Sequence, residues 1–173
     1  LKKKYIGRKI NSYYFDTVDL NDYIDSEEGT VPRKKLRYRW YGKKFSKKGN
    51  FEIKRTFDLK RTKEKYEILD YMSQIKLYLK KFKKNYIPTV KISYDREYYF
   101  SKKYSADFTF DTNIFFERLN KNYNKISRVC DQKKLLEVKI DLRKSPDNIL
   151  SYLNFKRVRN SKYCNAIQKT KIC

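Results

Sequence analysis

Arg37, Arg39, Lys54 and Glu52 have the residue types and spacing to do chemistry. They lie in Lys35-Leu36-Arg37-Tyr38-Arg39-Trp40-Tyr41 and, shortly after, Phe51-Glu52-Ile53-Lys54. Successive side chains of a β-strand point to opposite faces. Lys35, Arg37 and Arg39 therefore share one face, and Leu36, Tyr38 and Trp40 the other. Glu52 and Lys54 separate from Phe51 and Ile53 in the same way. Long cations on adjacent strands suit a polyanion, held by charge-assisted bonds that arginine can make two at a time.

Two later stretches alternate as cleanly. In Leu136-Glu137-Val138-Lys139-Ile140-Asp141-Leu142 every polar residue falls on one face, and Asp107, Thr109 and Asp111 share a face in the same manner. This pattern fits a solvated outer face over a buried one, or a wet, charged interior whose apolar backs pack against helices. In the second case the cations need counter-charge, because desolvating unpaired cations is very costly. A phosphate chain supplies that charge. Glu52 and Glu137 would relieve repulsion in the empty site and hold a divalent metal by oxygen ligation. The metal would neutralise phosphate oxygens and polarise a phosphorus for attack.

The composition points the same way. Lys+Arg 44 against Asp+Glu 20 gives a net charge of +24 in 173 residues. That excess attracts nucleic acid, anionic headgroups or phosphorylated small molecules, although a lysine-rich genome also explains many exposed lysines. Histidine is absent, so proton transfer falls to Asp, Glu, Lys, Tyr or a metal-bound water. Cys130, Cys164 and Cys173 show no CxxC spacing and read as reduced thiols of a cytoplasmic protein rather than a zinc site or disulfide framework. No apolar run approaches a membrane span, and no signal-peptide pattern opens the chain.

The elements that must position these residues are mostly strands. Ile10 to Asp16 reads as a strand ending in a turn at Asp16-Thr17-Val18-Asp19, and Asp22 to Pro32 as a polar connection. Lys34–Tyr41 and Phe51–Phe57 flank a hairpin-type loop. Ile68, Met72, Ile75, Leu79 and Phe82 recur at helical spacing, predicting an amphipathic helix to about Lys83. Strands are expected again at Thr89–Phe100, Ala106–Asp111 and Leu135–Leu142. Ser145-Pro146-Asp147 opens a helix carrying Ile149, Leu150 and Leu153, and a last short helix begins near Ser161. The expected class is α+β: an antiparallel β-barrel with helices packed outside it, as one domain over residues 1–173.

Several of these segments, in order, resemble the vacuolar transporter chaperone (VTC) domain of the triphosphate tunnel metalloenzyme, or CYTH-like, superfamily. Ser12-Tyr13-Tyr14-Phe15-Asp16-Thr17 resembles its "SxYFDT" entry, and Arg33 to Gly42 its "R-x-K-x-R-x-R-x-Y-G" strand. Phe51-Glu52-Ile53-Lys54 is similar to its "E-x-K" strand. Tyr94-Asp95-Arg96 is similar to "Y-x-R", Leu136-Glu137-Val138-Lys139 to "LEVK", and Ser161-Lys162-Tyr163 to the C-terminal "SKY". The resemblance implies a tunnel of antiparallel strands that binds triphosphate or polyphosphate. It further implies transfer of the terminal phosphate of a nucleoside triphosphate, as in a polyphosphate polymerase, with Mn2+ or Mg2+. Carried over by residue, Arg37, Arg39, Lys54, Arg96 and Lys162 contact phosphate with Lys35, Lys63 and Lys139 around them, and Glu137 holds metal, joined by Glu52.

Two departures accompany the resemblance. Asp107 stands where the family's "R-x-T-x-D" strand has a phosphate-binding arginine, and a carboxylate there repels phosphate unless a metal or lysine compensates. The strand and helix expected before Tyr5 are absent, so the chain reads as N-terminally truncated. Three functions follow: a metal-dependent transferase or hydrolase of phosphoanhydrides, a module that holds polyphosphate or nucleotide without turnover, and a basic nucleic-acid-binding domain. No RNA- or DNA-binding motif supports the last.

Overall fold

Alternating strands joined by short connections pair with their neighbours in sequence, and this chain does so almost throughout. A computed structural model describes residues 1–58, 60–140 and 157–171. The elements are β1 (Lys2–Asp16), α1 (Asn21–Glu28), β2 (Arg33–Tyr41), β3 (Gly49–Phe57), β4 (Lys60–Ile68), α2 (Tyr71–Lys80), β5 (Ile87–Ser101), β6 (Ala106–Leu119), β7 (Lys125–Asp131), β8 (Leu135–Ile140) and α3 (Lys162–Thr170). The strands form one antiparallel sheet in the order β4-β3-β2-β1-β5-β6-β7. Strand β8 pairs with the Ala106–Asp111 half of β6, and β7 with its Ile114–Leu119 half.

The α+β class and antiparallel pairing agree with the sequence reading, but the sheet is not closed into a barrel. Among the described residues β4 pairs only with β3, leaving the two ends of the sheet unjoined. Closure requires ladder bonds between the end strands as well as a matched tilt and stagger. Strand β4, Lys60-Arg61-Thr62-Lys63-Glu64-Lys65, is exposed over most of that run. Lysine-rich edges of this kind discourage further pairing.

The two faces are built differently. Phe15, Leu36, Tyr38, Trp40, Phe51 and Ile53 bury one face under Tyr71 and Ile75 of α2. Asp70 caps that helix, accepting from the Ser73 amide at 3.2 Å. Ile68, expected in the helix, closes β4, and Met72, expected on the apolar stripe, is 62% exposed; Tyr71 takes the inward position.

Tyr14 precedes Phe15 and so points to the opposite face. There Ile10, Tyr14, Ile92, Tyr94, Ile114 and Phe116 pack against Tyr163, Ala166 and Ile167 of α3, with Tyr23 of α1. Of the described helices only α2 lies outside, where all the helices were expected; α1 and α3 sit on the face that carries the cations.

The stretch expected to be a polar connection contains α1. Its amphipathic signal is weak because Asp22 and Ser26 are among its buried residues. The helix start is organised by Asp16 at the end of β1. One carboxylate oxygen accepts from the amides of Thr17 (2.7 Å) and Asp22 (3.0 Å). The other accepts from the Tyr23 amide at 2.9 Å and from the Tyr163 hydroxyl. Strands β4 and β7 were not foreseen, because their alternation puts charge or exposed residues at most positions. The helix expected from Ser145 and the strand end at Asp141-Leu142 lie outside the described residues.

Removing the Asp16 carboxylate strands buried donors, each costing about 1–3 kcal/mol. Asp16→Ala is expected to lower unfolding free energy by at least about 2 kcal/mol in urea titrations. Asp16→Asn, which keeps one acceptor, should lose less.

Candidate polyanion-binding site

Directly opposed residues of neighbouring strands share a face. The β1–β2 register sets Tyr14 against Arg37 and Ser12 against Arg39. The β2–β3–β4 registers then align Lys35 with Lys54 and Lys63, and Arg37 with Glu52 and Lys65. On the other side, Arg96 of β5 faces Asp111 of β6, and Glu137 and Lys139 of β8 face Thr109 and Asp107. Helix α3 begins at the basic rows. Ser161 caps it by accepting from the Cys164 amide at 3.3 Å, and Lys35 donates to the same hydroxyl at 2.9 Å.

These elements enclose a cavity of about 820 Å³. Lys35, Arg37, Arg39, Lys54, Lys63, Arg96, Glu137, Lys139 and Lys162, all singled out in the sequence, line it. Glu52 does not; it lies behind the surface.

Two buried carboxylates organise the cations. Glu52, 2% exposed, receives Arg37 Nε at 2.7 Å and a second guanidinium nitrogen on the same oxygen, and its other oxygen is 3.1 Å from Lys63 Nζ. Burial pushes its pKa up, but Arg37 first, then Arg39 and Lys63, hold it down at about 2. Asp111, 1% exposed, takes a two-pronged bond from Arg96 (2.6 and 2.7 Å) and Lys162 at 2.6 Å. Burial opposes its ionisation, yet these two partners keep its pKa below the ordinary carboxylate value.

Two cations of the same wall, Arg39 and Lys54, feel Glu52 only at longer range and pair with neither carboxylate. Among the described residues Arg39, 9% exposed, donates only to neutral hydroxyls, Ser12 Oγ and Tyr94 Oη, both at 3.3 Å. Among the described residues neither Arg39 nor Lys54 has an ion pair. Lys54 keeps surface toward the cavity, but desolvation by the walls, reinforced by Arg37 and Arg39, lowers its pKa.

Glu137 lines the cavity with an open side chain, 3.7 Å from Arg96 and 3.8 Å from Lys139. Among the described residues no group of three or more acidic, cysteine or histidine side chains is placed to hold a metal. Asp107, the acid at an expected arginine position, forms a 2.6 Å ion pair with Lys4 and does not line the cavity.

Sequence reasoning missed Tyr14, Tyr94 and Asp111 as parts of the site. Ser12, Tyr14 and Asp16 alternate along β1, so a signal existed for Tyr14, masked by the neighbouring tyrosine. Arg33, Arg61 and Arg159 also line the cavity without having been singled out.

Glu52 is depressed from 4.5, so its stabilisation is complete above pH 4.5 and is lost as pH falls through about 2. At 1.36 kcal/mol per pKa unit this is on the order of 3 kcal/mol. Denaturation between those pH values should show this loss, and Glu52→Gln should be less stable at neutral pH with a flatter acid limb.

A family model described as VTC domain matches residues 2–79 and 70–171. No curated protein matches the chain.

Proposed function

The chain belongs to the VTC domain family, a polyphosphate-related one, and we propose that its cavity binds triphosphate or inorganic polyphosphate. With a divalent metal it would transfer or hydrolyse phosphoanhydride phosphate, in the manner of a polyphosphate polymerase. The observation that carries this reading is buried Arg39 together with Lys54, which is exposed to the cavity yet partly desolvated by its walls: two cations facing one cavity, with no ion pair among the described residues. Such cations are costly unless an anion arrives, and a phosphate chain brings several charges into one narrow space. A cavity of about 820 Å³ lined by cations from several strands suits a short phosphate chain better than a nucleic-acid duplex.

In the reaction, the bond from the terminal phosphorus to its bridging oxygen breaks while an acceptor oxygen bonds to that phosphorus. The acceptor is a phosphate chain end in transfer and water in hydrolysis. Arg37 and Arg96, each fixed by a buried carboxylate, and Arg39, fixed by hydroxyls, orient the phosphates and meet the charge that shifts to the leaving oxygen. Mg2+ or Mn2+ commonly binds through one or two carboxylates plus substrate phosphates. The open carboxylate of Glu137 fits that arrangement. A bound ion would neutralise phosphate oxygens. A binding module without turnover is the second reading, favoured by the finding that no group of three or more acidic, cysteine or histidine side chains is placed to hold a metal among the described residues.

Tripolyphosphate should raise the melting temperature in a concentration-dependent way. Arg39→Ala should weaken its binding roughly 10- to 100-fold, the equivalent of ~1.5–3 kcal/mol of charge-assisted bonding. Incubation with ATP and manganese should yield polyphosphate or free phosphate, and Glu137→Gln should abolish this while still binding tripolyphosphate. Binding without product would leave the module; no thermal shift would eliminate both readings.

A further inference from the structure

Tyr14 has no part in the chemistry above, yet it lines the cavity and contacts Arg37. Its hydroxyl oxygen accepts from Arg37 Nη1 at 2.9 Å, and among the described residues nothing accepts its own proton. The residue is 7% exposed and lines the cavity. Its ring is stacked on Tyr163, with centroids 5.1 Å apart and planes 10° apart, and Tyr163 is itself fixed by Asp16. The phenol therefore cannot swing away from the guanidinium without breaking the α3 packing.

Charged and titratable groups surround it. Strand β2 contributes Arg37 and Arg39, and β3 contributes Lys54 and Glu52. Strand β5 contributes Tyr94, and its Thr89 hydroxyl donates to the Tyr14 carbonyl at 3.1 Å. Helix α3 presents Tyr163, with Lys162 4.8 Å over the Tyr94 ring. Helix α1 reaches Tyr163 through Tyr23. On β1 itself, Asp16 is spent on α1 and Tyr163.

We propose that Tyr14 is a proton-coupled phosphate contact. The neutral phenol accepts from Arg37 and donates to a phosphate oxygen, whereas its phenolate competes with phosphate for Arg37. The inference rests on the phosphate-binding reading above. Burial alone would raise the phenol's pKa, but Arg37, then Arg39 and Lys54, bring it down to about 8. A bound polyanion adds negative charge beside the oxygen and pushes that value up again. Binding above pH 8 therefore takes up a proton, and affinity falls as pH rises beyond that point. For one proton the limit is about tenfold per pH unit. Below pH 8 the phenol is already protonated and the coupling vanishes.

The experiment titrates the full chain with tripolyphosphate from about pH 7 to about pH 10, following heat in two buffers of different ionisation enthalpy and phenolate absorbance. Wild-type protein should take up close to one proton near pH 9 and lose phenolate absorbance on binding. Tyr14→Phe keeps the stack on Tyr163 and removes the hydroxyl. It should bind about tenfold more weakly at pH 7 and show no phenolate change. Lys54, also shifted down, adds a pH slope common to both proteins, so the difference between them is the readout. If the variant does not fold, the wild-type absorbance decides the matter. Tight binding at pH 7 with no phenolate change at pH 9, or a variant indistinguishable from wild type, overturns the role of Tyr14 alone. No binding at any pH overturns this inference and the phosphate-binding reading together.

Discussion

Crowding cations on one partly dried face of a sheet is unfavourable, and the rest of this structure answers that problem. The answer is partial. Glu52 ties Arg37 and Lys63, and Asp111 ties Arg96 and Lys162. Each carboxylate is almost wholly buried, so it is both desolvated and close to its partners, which strengthens the attraction. Arg39 and Lys54 are left without an ion pair among the described residues. The anchors fix the outer arginines, and the remaining positive field defines where an anion belongs.

This arrangement depends on different packing behind and in front of the sheet. Behind it, Leu36, Tyr38, Trp40, Phe51 and Ile53 are clamped by α2, which holds the β2–β3 ladder in register. In front, α3 fills the apolar part of the same face and presents Ser161 and Lys162 at its start. Asp16 joins β1, α1 and α3 at one point. Tyr14 and Tyr163 therefore couple the core packing of α3 to the position of Arg37. A preorganised site follows: little side-chain freedom is left to lose when an anion enters.

The strands that carry the site were legible because alternation marks them. Arg37, Arg39, Glu52 and Lys54 sit in stretches whose backs are continuously apolar, so face and partner follow from period alone. Edge strands lack that signal. Strand β4, with charge at most positions, could be recognised only from its ladder with β3. Helix α1 was hidden for a related reason, because its buried side includes Asp22 and Ser26 and its start is capped by Asp16 from outside the helix. Closure of the sheet was expected from the strand set and the family resemblance, but strand content does not specify whether two distant edges meet.

The amino-acid order by itself determined the strand faces, the apolar stripe of α2, the N-cap of α3 and the cationic character of the β2–β3 wall, since these rest on contacts within a strand, a turn or a hairpin. It also carried the family's motifs. The tertiary structure alone decided which acids answer which bases. Glu137 and Glu52 look equivalent as residues in alternating strands, yet one is open to the cavity and the other is consumed by Arg37 and Lys63. Asp107 and Asp111 share a strand face, yet one pairs with Lys4 away from the cavity and the other anchors Arg96 and Lys162. Electrostatic pairing depends on separations of a few ångströms between residues far apart in the chain, and only the folded packing of β1, β5, β6 and α3 sets those distances.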